Sequence, residues 1–200
     1  MVKFLGFGHR KQMGKDTAAK FFKKILDKRH HPGLNVECRA FADIGYEICN
    51  KLYGWDGFGT KMYYDMNPEK KSVPLPNIGK SPRQILIDVG TNAFRKNVWE
   101  NTWVEYMAHI HPKDHNALVL LTDVRFPNEF GMVKRDGGFN FKIVRPDVPL
   151  TDDVADCALE GVSFDFEIVN DGTPEELGVK VYKTFVEYLK PFTIETWMSR

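Results

Sequence analysis

The sequence predicts an α/β domain in three layers, with helices on both faces of a mostly parallel sheet. Two observations carry this. Continuous apolar runs such as ALVLLT at 117–122 lack the in–out alternation of a half-solvated sheet, as strands buried on both faces do. Segments of helical periodicity lie between these runs, so strand and helix alternate along the chain. A length of 200 residues, 42% of them apolar, is enough for a sizeable core and reads as a single domain over 1–200.

Val2 to Phe7 is the first strand and ends in glycines. From Gly14 the pattern changes: Ala18, Phe21, Phe22, Ile25 and Leu26 share one helical face, with Lys20, Lys23, Lys24 and Lys28 opposite. His31-Pro32-Gly33 stops this helix. Leu34 to Phe41 forms a second strand and Ile44 to Tyr53 a helix. The stretch 54–80 is rich in glycine and proline and reads as a substrate-binding insertion or mobile subdomain. Ser81-Pro82 supplies an N-cap and a first-turn proline for a helix to about Arg95, and Trp99 to Ile110 is another helix. Strands follow at 117–122 and 139–144, separated by a short helix over 128–135 that Gly137-Gly138 closes. The 147–161 stretch is acidic and irregular. A strand at 164–169 precedes the last helix, which Thr173-Pro174-Glu175-Glu176 opens and which runs to about Leu189.

Charge and composition exclude several classes. Lys plus Arg is 28 and Asp plus Glu 27, a net +1, so the basic excess of a DNA-coating protein is missing and no nucleic-acid partner is expected. No run approaches the ~20 apolar residues that span a bilayer, so no membrane partner is expected. The N-terminus carries no secretory pattern. Cys38, Cys49 and Cys157 lack CxxC spacing, which points to neither a disulfide framework nor a zinc site, and a cytoplasmic protein is expected. The 15 phenylalanines read as core filling.

The sharpest chemical signal is Gly8-His9-Arg10-Lys11-Gln12-Met13-Gly14-Lys15-Asp16-Thr17, between a strand and a helix. A phosphate-binding loop belongs there, because backbone N–H groups and the helix N-terminus receive phosphate oxygens. Lys15 would reach the β- and γ-phosphates of ATP, and Asp16 or Thr17 would face Mg²⁺. Against G-x-x-x-x-G-K-[ST], Gly8 lies one residue too far upstream and Asp16 replaces the usual hydroxyl residue. The second signal is Thr122-Asp123-Val124-Arg125-Phe126 at a strand's C-terminal end, where ligands of open α/β sheets bind. Asp123 can hold Mg²⁺ through water or act on the substrate, and Arg125 can neutralise phosphate charge; the pair can also merely cap the strand. The third is Ser81-Pro82-Arg83-Gln84 with Gly90-Thr91 and Arg95, in which Arg83 and Arg95 come near one helical face and can grip a monophosphate. The fourth is Asn170-Asp171-Gly172-Thr173, a turn in which Asn170 can meet a purine edge or merely cap a helix.

GKDT at 14–17, FADIGYEICNKLYG at 41–54, SPRQIL at 81–86, Gly90-Thr91, Arg95, Trp103, TDVRFPNE at 122–129 and NDGT at 170–173 occur in one order. That order resembles the deoxynucleoside monophosphate kinases of tailed phages, from Val2 to about Leu189. The resemblance implies a P-loop kinase fold with an inserted monophosphate-binding segment and a lid, here placed at 54–80 and 146–162. It implies transfer of the ATP γ-phosphate, with Mg²⁺, to a deoxynucleoside 5′-monophosphate. Lys15 would match the family's loop lysine, and Arg83, Arg95 and Arg125 its phosphate-gripping arginines. Trp103 and Asn128 would fall in its monophosphate site and Asn170 near the ATP base. A homodimer in the cytoplasm of an infected host is also implied. The lid has few arginines beyond Arg145, and only Glu160 corresponds to the acidic residue of the family's His-x-Ser-Glu stretch. Two other readings remain: a different small-molecule P-loop kinase of the dephospho-CoA kinase kind, and a catalytically silent nucleotide-binding regulator.

Overall fold

The computed structural model describes residues 2–28, 34–110, 117–149 and 154–189. Five strands, β1 (Val2–Gly8), β2 (Asn35–Arg39), β3 (Ala117–Val124), β4 (Phe139–Val144) and β5 (Phe166–Val169), pair in the order β2-β3-β1-β4-β5. Every pairing is parallel. The helices are α1 (Lys15–Lys28), α2 (Asp43–Tyr53), α3 (Lys61–Met66), α4 (Pro82–Leu86), α5 (Thr102–Ile110), α6 (Pro127–Arg135), α7 (Val154–Cys157) and α8 (Pro174–Thr184). None of the described helices is long and apolar enough to cross a membrane.

The chain divides into two compact units, 1–40 with 111–200, and 41–110. In the first, the expected three layers follow from strand alternation. Asn140 of β4 donates to the Phe130 carbonyl of α6 (3.2 Å), while its neighbour Phe141 packs on Phe22 of α1 (5.3 Å between rings). Consecutive residues point to opposite faces, so α6 and α1 cover opposite sides of the sheet. Phe7, Phe22, Phe141 and Phe185 form a continuous aromatic seam on the α1 side, with Leu5, Leu118, Leu120 and Ile143 around it. These four phenylalanines fill a core layer, as their kind was expected to do.

The second unit has its own core of Tyr46, Cys49, Phe58, Tyr64, Leu75 and Ile85. The 54–80 stretch contributes Phe58, Tyr64 and Leu75, folding as two 3₁₀ turns around α3. Buried Asp56 fastens it by accepting from the Asn77 amide and side chain and the Ile78 amide. Ser81 caps α4 as predicted, with Gln84 closing the capping box.

The helix expected to run to Arg95 differs from the observed one. After Leu86 the chain widens into a π-helical stretch, Ile87–Val98, ending in an i→i+5 bond from Trp99 N to Phe94 O (2.9 Å). Gly90, Thr91 and Asn92 are weak α-helix formers. The Trp103 indole takes the Gly90 carbonyl (3.0 Å) and its ring packs on Phe94. The wide turn is therefore braced by a side chain from α5.

Phe58→Ala should lower the stability of this second core by about 3–5 kcal/mol. Chemical denaturation followed by tyrosine and tryptophan fluorescence reads this; an unchanged midpoint would show that 41–110 gains nothing from its aromatic cluster.

Candidate active site

The site grows from the point where the strand order reverses. β1 leads to β2 on one side and β3 leads to β4 on the other, so a crevice opens beyond the C-terminal ends of β1 and β3. Their register runs from Val2↔Ala117 to Gly6↔Leu121, then resumes at Gly8↔Val124. Over that interval β3 spends one residue more than β1, as in a β-bulge. Thr122 and Asp123 are the residues involved, and both line the same cleft.

Gly8 is the last residue of β1. A Cβ there would lie 2.8 Å from the Phe164 ring and 3.1 Å from the Val124 carbonyl, so its glycine is needed by strand packing. The loop proper is His9–Gly14. His9 (φ 90°) and Gln12 (φ 61°) adopt left-handed backbone, as does Gly14 (φ 93°). His9 stands where the phosphate-loop pattern has its first glycine, and four residues, Arg10 to Met13, separate it from Gly14. The loop therefore has the ordinary length, with a histidine in a glycine conformation, and the apparent extra residue belongs to β1.

Asn170, which follows β5, is buried beneath the loop and donates to the Met13 carbonyl (3.0 Å). A Cβ on Gly14 would come within 2.5 Å of the Asn170 amide nitrogen. Here Asn170 is a brace of the loop.

Lys15 opens α1, yet its side chain is buried. Its Nζ donates to the His9 carbonyl (3.2 Å) and to the Arg10 carbonyl, curling back over its own loop. Burial, followed by the Arg125 charge, lowers its pKa to about 7; Asp123, Asp16 and Asp156 oppose this with smaller effect. Lys15, Asp16, Thr17, Asp123 and Arg125 line one cleft of about 510 Å³, with Gln12, Gly14 and Arg145. Asp16 is exposed and Thr17 half-buried.

Arg125 is set by a turn. Buried Glu129 accepts from the Arg125 amide (2.8 Å) and the Phe126 amide (3.1 Å), while Asn128 accepts from the Glu129 amide (3.0 Å). The FPNE part of the motif is thus local capping chemistry. Two carboxylates also reach the loop: Asp156, which the sequence did not single out, and Glu160, which only the family resemblance did. Asp156 of α7 accepts from the Lys11 amide (2.9 Å), and Glu160 pairs with Arg10. Asp156 is the buried one; the Glu160 side chain is 52% exposed. Their signal in the sequence was an acidic stretch in a chain whose loop carries two extra cations.

Arg83, Arg95 and Trp103 belong to the other compact unit. Arg83 is exposed on α4 and Arg95 is buried in the π-helical stretch. Trp103 is a buried packing residue there.

No family model matches the chain. It is similar to a protein of Acanthamoeba polyphaga mimivirus whose name assigns it, provisionally, as a deoxynucleotide monophosphate kinase: 28% identity over 186 residues, covering 86% of this chain and 90% of that protein. It is also similar to the deoxynucleoside-5′-monophosphate kinase of Escherichia phage T5, 37% identical over 82 residues, which cover 38% of this chain and 32% of the phage protein. Among solved structures, the Mycobacterium tuberculosis APS kinase in complex with AMPPNP and APS aligns at 13% identity and TM-score 0.42, over 93% of this chain and 98% of that one. Dephospho-CoA kinase from Campylobacter jejuni aligns at 15% identity and TM-score 0.45, over 93% and 97%.

The Lys15 pKa fixes a sign. Near pH 7 and below, the folded protein bears a buried ammonium that the unfolded chain keeps in water. From about pH 7 towards 10.5 the unfolded chain binds more protons than the folded one, so stability rises with pH. Relative to Lys15→Met, the wild type should gain about 3–4 kcal/mol between pH 7 and pH 10. Unfolding curves at pH 7 and pH 10 read it; a constant difference between the two proteins would remove the buried ammonium.

Proposed function

We propose that this chain, a homologue of proteins named as deoxynucleotide and deoxynucleoside monophosphate kinases, transfers the γ-phosphate of ATP to a deoxynucleoside 5′-monophosphate. The observation that carries this reading is the buried Lys15 at the head of α1, sharing one cleft with Asp123 and Arg125 from the adjoining strand end. Such a cleft offers two cations and oxygen donors around the place where a helix N-terminus receives phosphate.

In the reaction, an oxygen of the acceptor monophosphate bonds to the γ-phosphorus as the bridging oxygen leaves with ADP. The acceptor oxygen is already anionic near neutral pH, so no strong base is required. Lys15 would turn from its own loop carbonyls to the β- and γ-phosphate oxygens. Arg125 would align the phosphates, and Arg83 and Arg95 would hold the acceptor phosphate. Trp103 would act on the acceptor side by bracing the stretch that carries Arg95, Asn128 would help set the bend that presents Arg125, and Asn170 would keep the loop in place.

The Thr17 hydroxyl and the Asp123 carboxylate suit Mg²⁺, a hard cation that takes one or two protein oxygens and completes its shell with phosphate and water. Bound Mg²⁺ would neutralise charge on the β- and γ-phosphate oxygens. Asp123 would orient ion-bound water, with Asp16 near enough along α1 to add charge.

A second reading, a nucleotide-binding regulator without turnover, draws on the Asp156 and Glu160 carboxylates that already meet the loop cations. One assay separates the two. ADP release from ATP and Mg²⁺ should depend on added monophosphate, favour one or more deoxynucleotides in a panel, and fall about 100-fold or more in Lys15→Ala. ATP binding with no monophosphate-dependent ADP would favour the regulator.

A further inference from the structure

The loop region concentrates positive charge. Arg10, Lys11, Lys15 and Arg125 lie along or against the 9–14 turn, and two of the four are buried. Such a cluster repels itself unless carboxylates are interleaved. The structure supplies them from the 154–160 segment, but the two are unequal. Glu160 is half-exposed and pairs with Arg10. Asp156 is different in kind, with a side chain only 1% exposed.

Each Asp156 oxygen has a distinct task. Oδ1 accepts from the Lys11 backbone amide at 2.9 Å and lies 3.7 Å from Arg125 Nη1. Oδ2 lies 3.6 Å from Lys11 Nζ. One buried carboxylate thus touches the backbone of the phosphate loop, a side chain of that loop and the arginine that leaves β3. A buried charge of this kind is retained only when its partners are well placed, since an isolated one is far too costly. Its effect is geometric: it ties the middle of the loop to the Arg125 guanidinium.

We propose that Asp156 is a positioning residue for phosphoryl transfer, fixing the Lys11 amide and aiming Arg125 into the cleft. This rests on the kinase reading above. Asparagine at this position keeps an acceptor for the Lys11 amide but loses the charge that holds Arg125. Alanine loses both. Because the lost group is an anion beside an anion-binding loop, removing its charge alone should not weaken nucleotide binding.

The experiment compares wild type, Asp156→Asn, Asp156→Ala, Glu160→Gln and Arg125→Lys in two assays: calorimetric binding of a non-hydrolysable ATP analogue with Mg²⁺, and steady-state turnover with the preferred monophosphate. Asp156→Asn should bind the analogue as tightly as wild type or more so, yet lose about 10-fold or more in kcat. Asp156→Ala should lose about 10-fold in analogue affinity as well. Glu160→Gln should change either quantity by less than about threefold, as expected for an exposed pair. The Asp156→Asn and Arg125→Lys effects on kcat should be non-additive in the double variant. Full kcat in Asp156→Asn, or additivity with Arg125→Lys, overturns the proposal. A fall in analogue affinity and melting temperature together in Asp156→Asn also overturns it, because that marks a purely structural role. A wild type that binds the analogue but turns over no monophosphate removes the kinase reading instead; unchanged analogue affinity in Asp156→Ala then overturns the tie to the loop independently.

Discussion

Burial of the Lys15 ammonium constrains the rest of the site. An amine in that position cannot keep its water, and it is met by carbonyl oxygens of its own loop. For the carbonyls of His9 and Arg10 to face Nζ, the chain must curl back immediately after β1. Three left-handed residues, His9, Gln12 and Gly14, make that curl. Two of them are not glycine, and each such residue costs of order 1–3 kcal/mol unless its surroundings hold it. The surroundings are the β1–β3–β4 sheet on one side and Asn170, bonded to Met13, below. Dipoles alone compensate the ammonium only in part, as its depressed pKa records. An anion entering beside Lys15 would supply the missing compensation.

Much of this was legible in the sequence because it rests on local chemistry. The β1–loop–α1 passage announces itself by an apolar run, a turn and a helical stripe. The caps at Ser81 and Thr173 need only a hydroxyl and, three residues on, Gln84 or Glu176. What was not legible depends on distant partners. The frame of the loop could not be set from glycine spacing, because the glycine at 8 is demanded by Phe164, far along the chain, and a histidine takes the glycine backbone at 9. The π-helical stretch depends on the Trp103 indole competing for the Gly90 carbonyl. Asp156 is one of several acids in a stretch without periodicity, and only folding against Lys11 distinguishes it. Arg83 and Arg95 looked alike in sequence, yet one is exposed and the other buried.

The TDVRFPNE segment shows how a motif can be one mechanical device. In a regular strand Thr122 and Asp123 would point to opposite faces. The slipped register opposite Gly6–Gly8 lets both serve the cleft. Val124 then re-pairs with Gly8 and is fully buried, which anchors the strand end. Arg125 leaves the sheet at once, and Pro127 starts α6 two residues later, where a missing amide hydrogen costs nothing. Glu129 turns back to accept from both amides of the bend. Without that carboxylate, two amide groups at the base of the Arg125 side chain would lose their partner and the bend its definition. A bulge, an anchor, a proline and a capping glutamate together decide where one aspartate and one arginine point. The chemistry of the motif therefore lies in two residues, and the rest of it determines their direction.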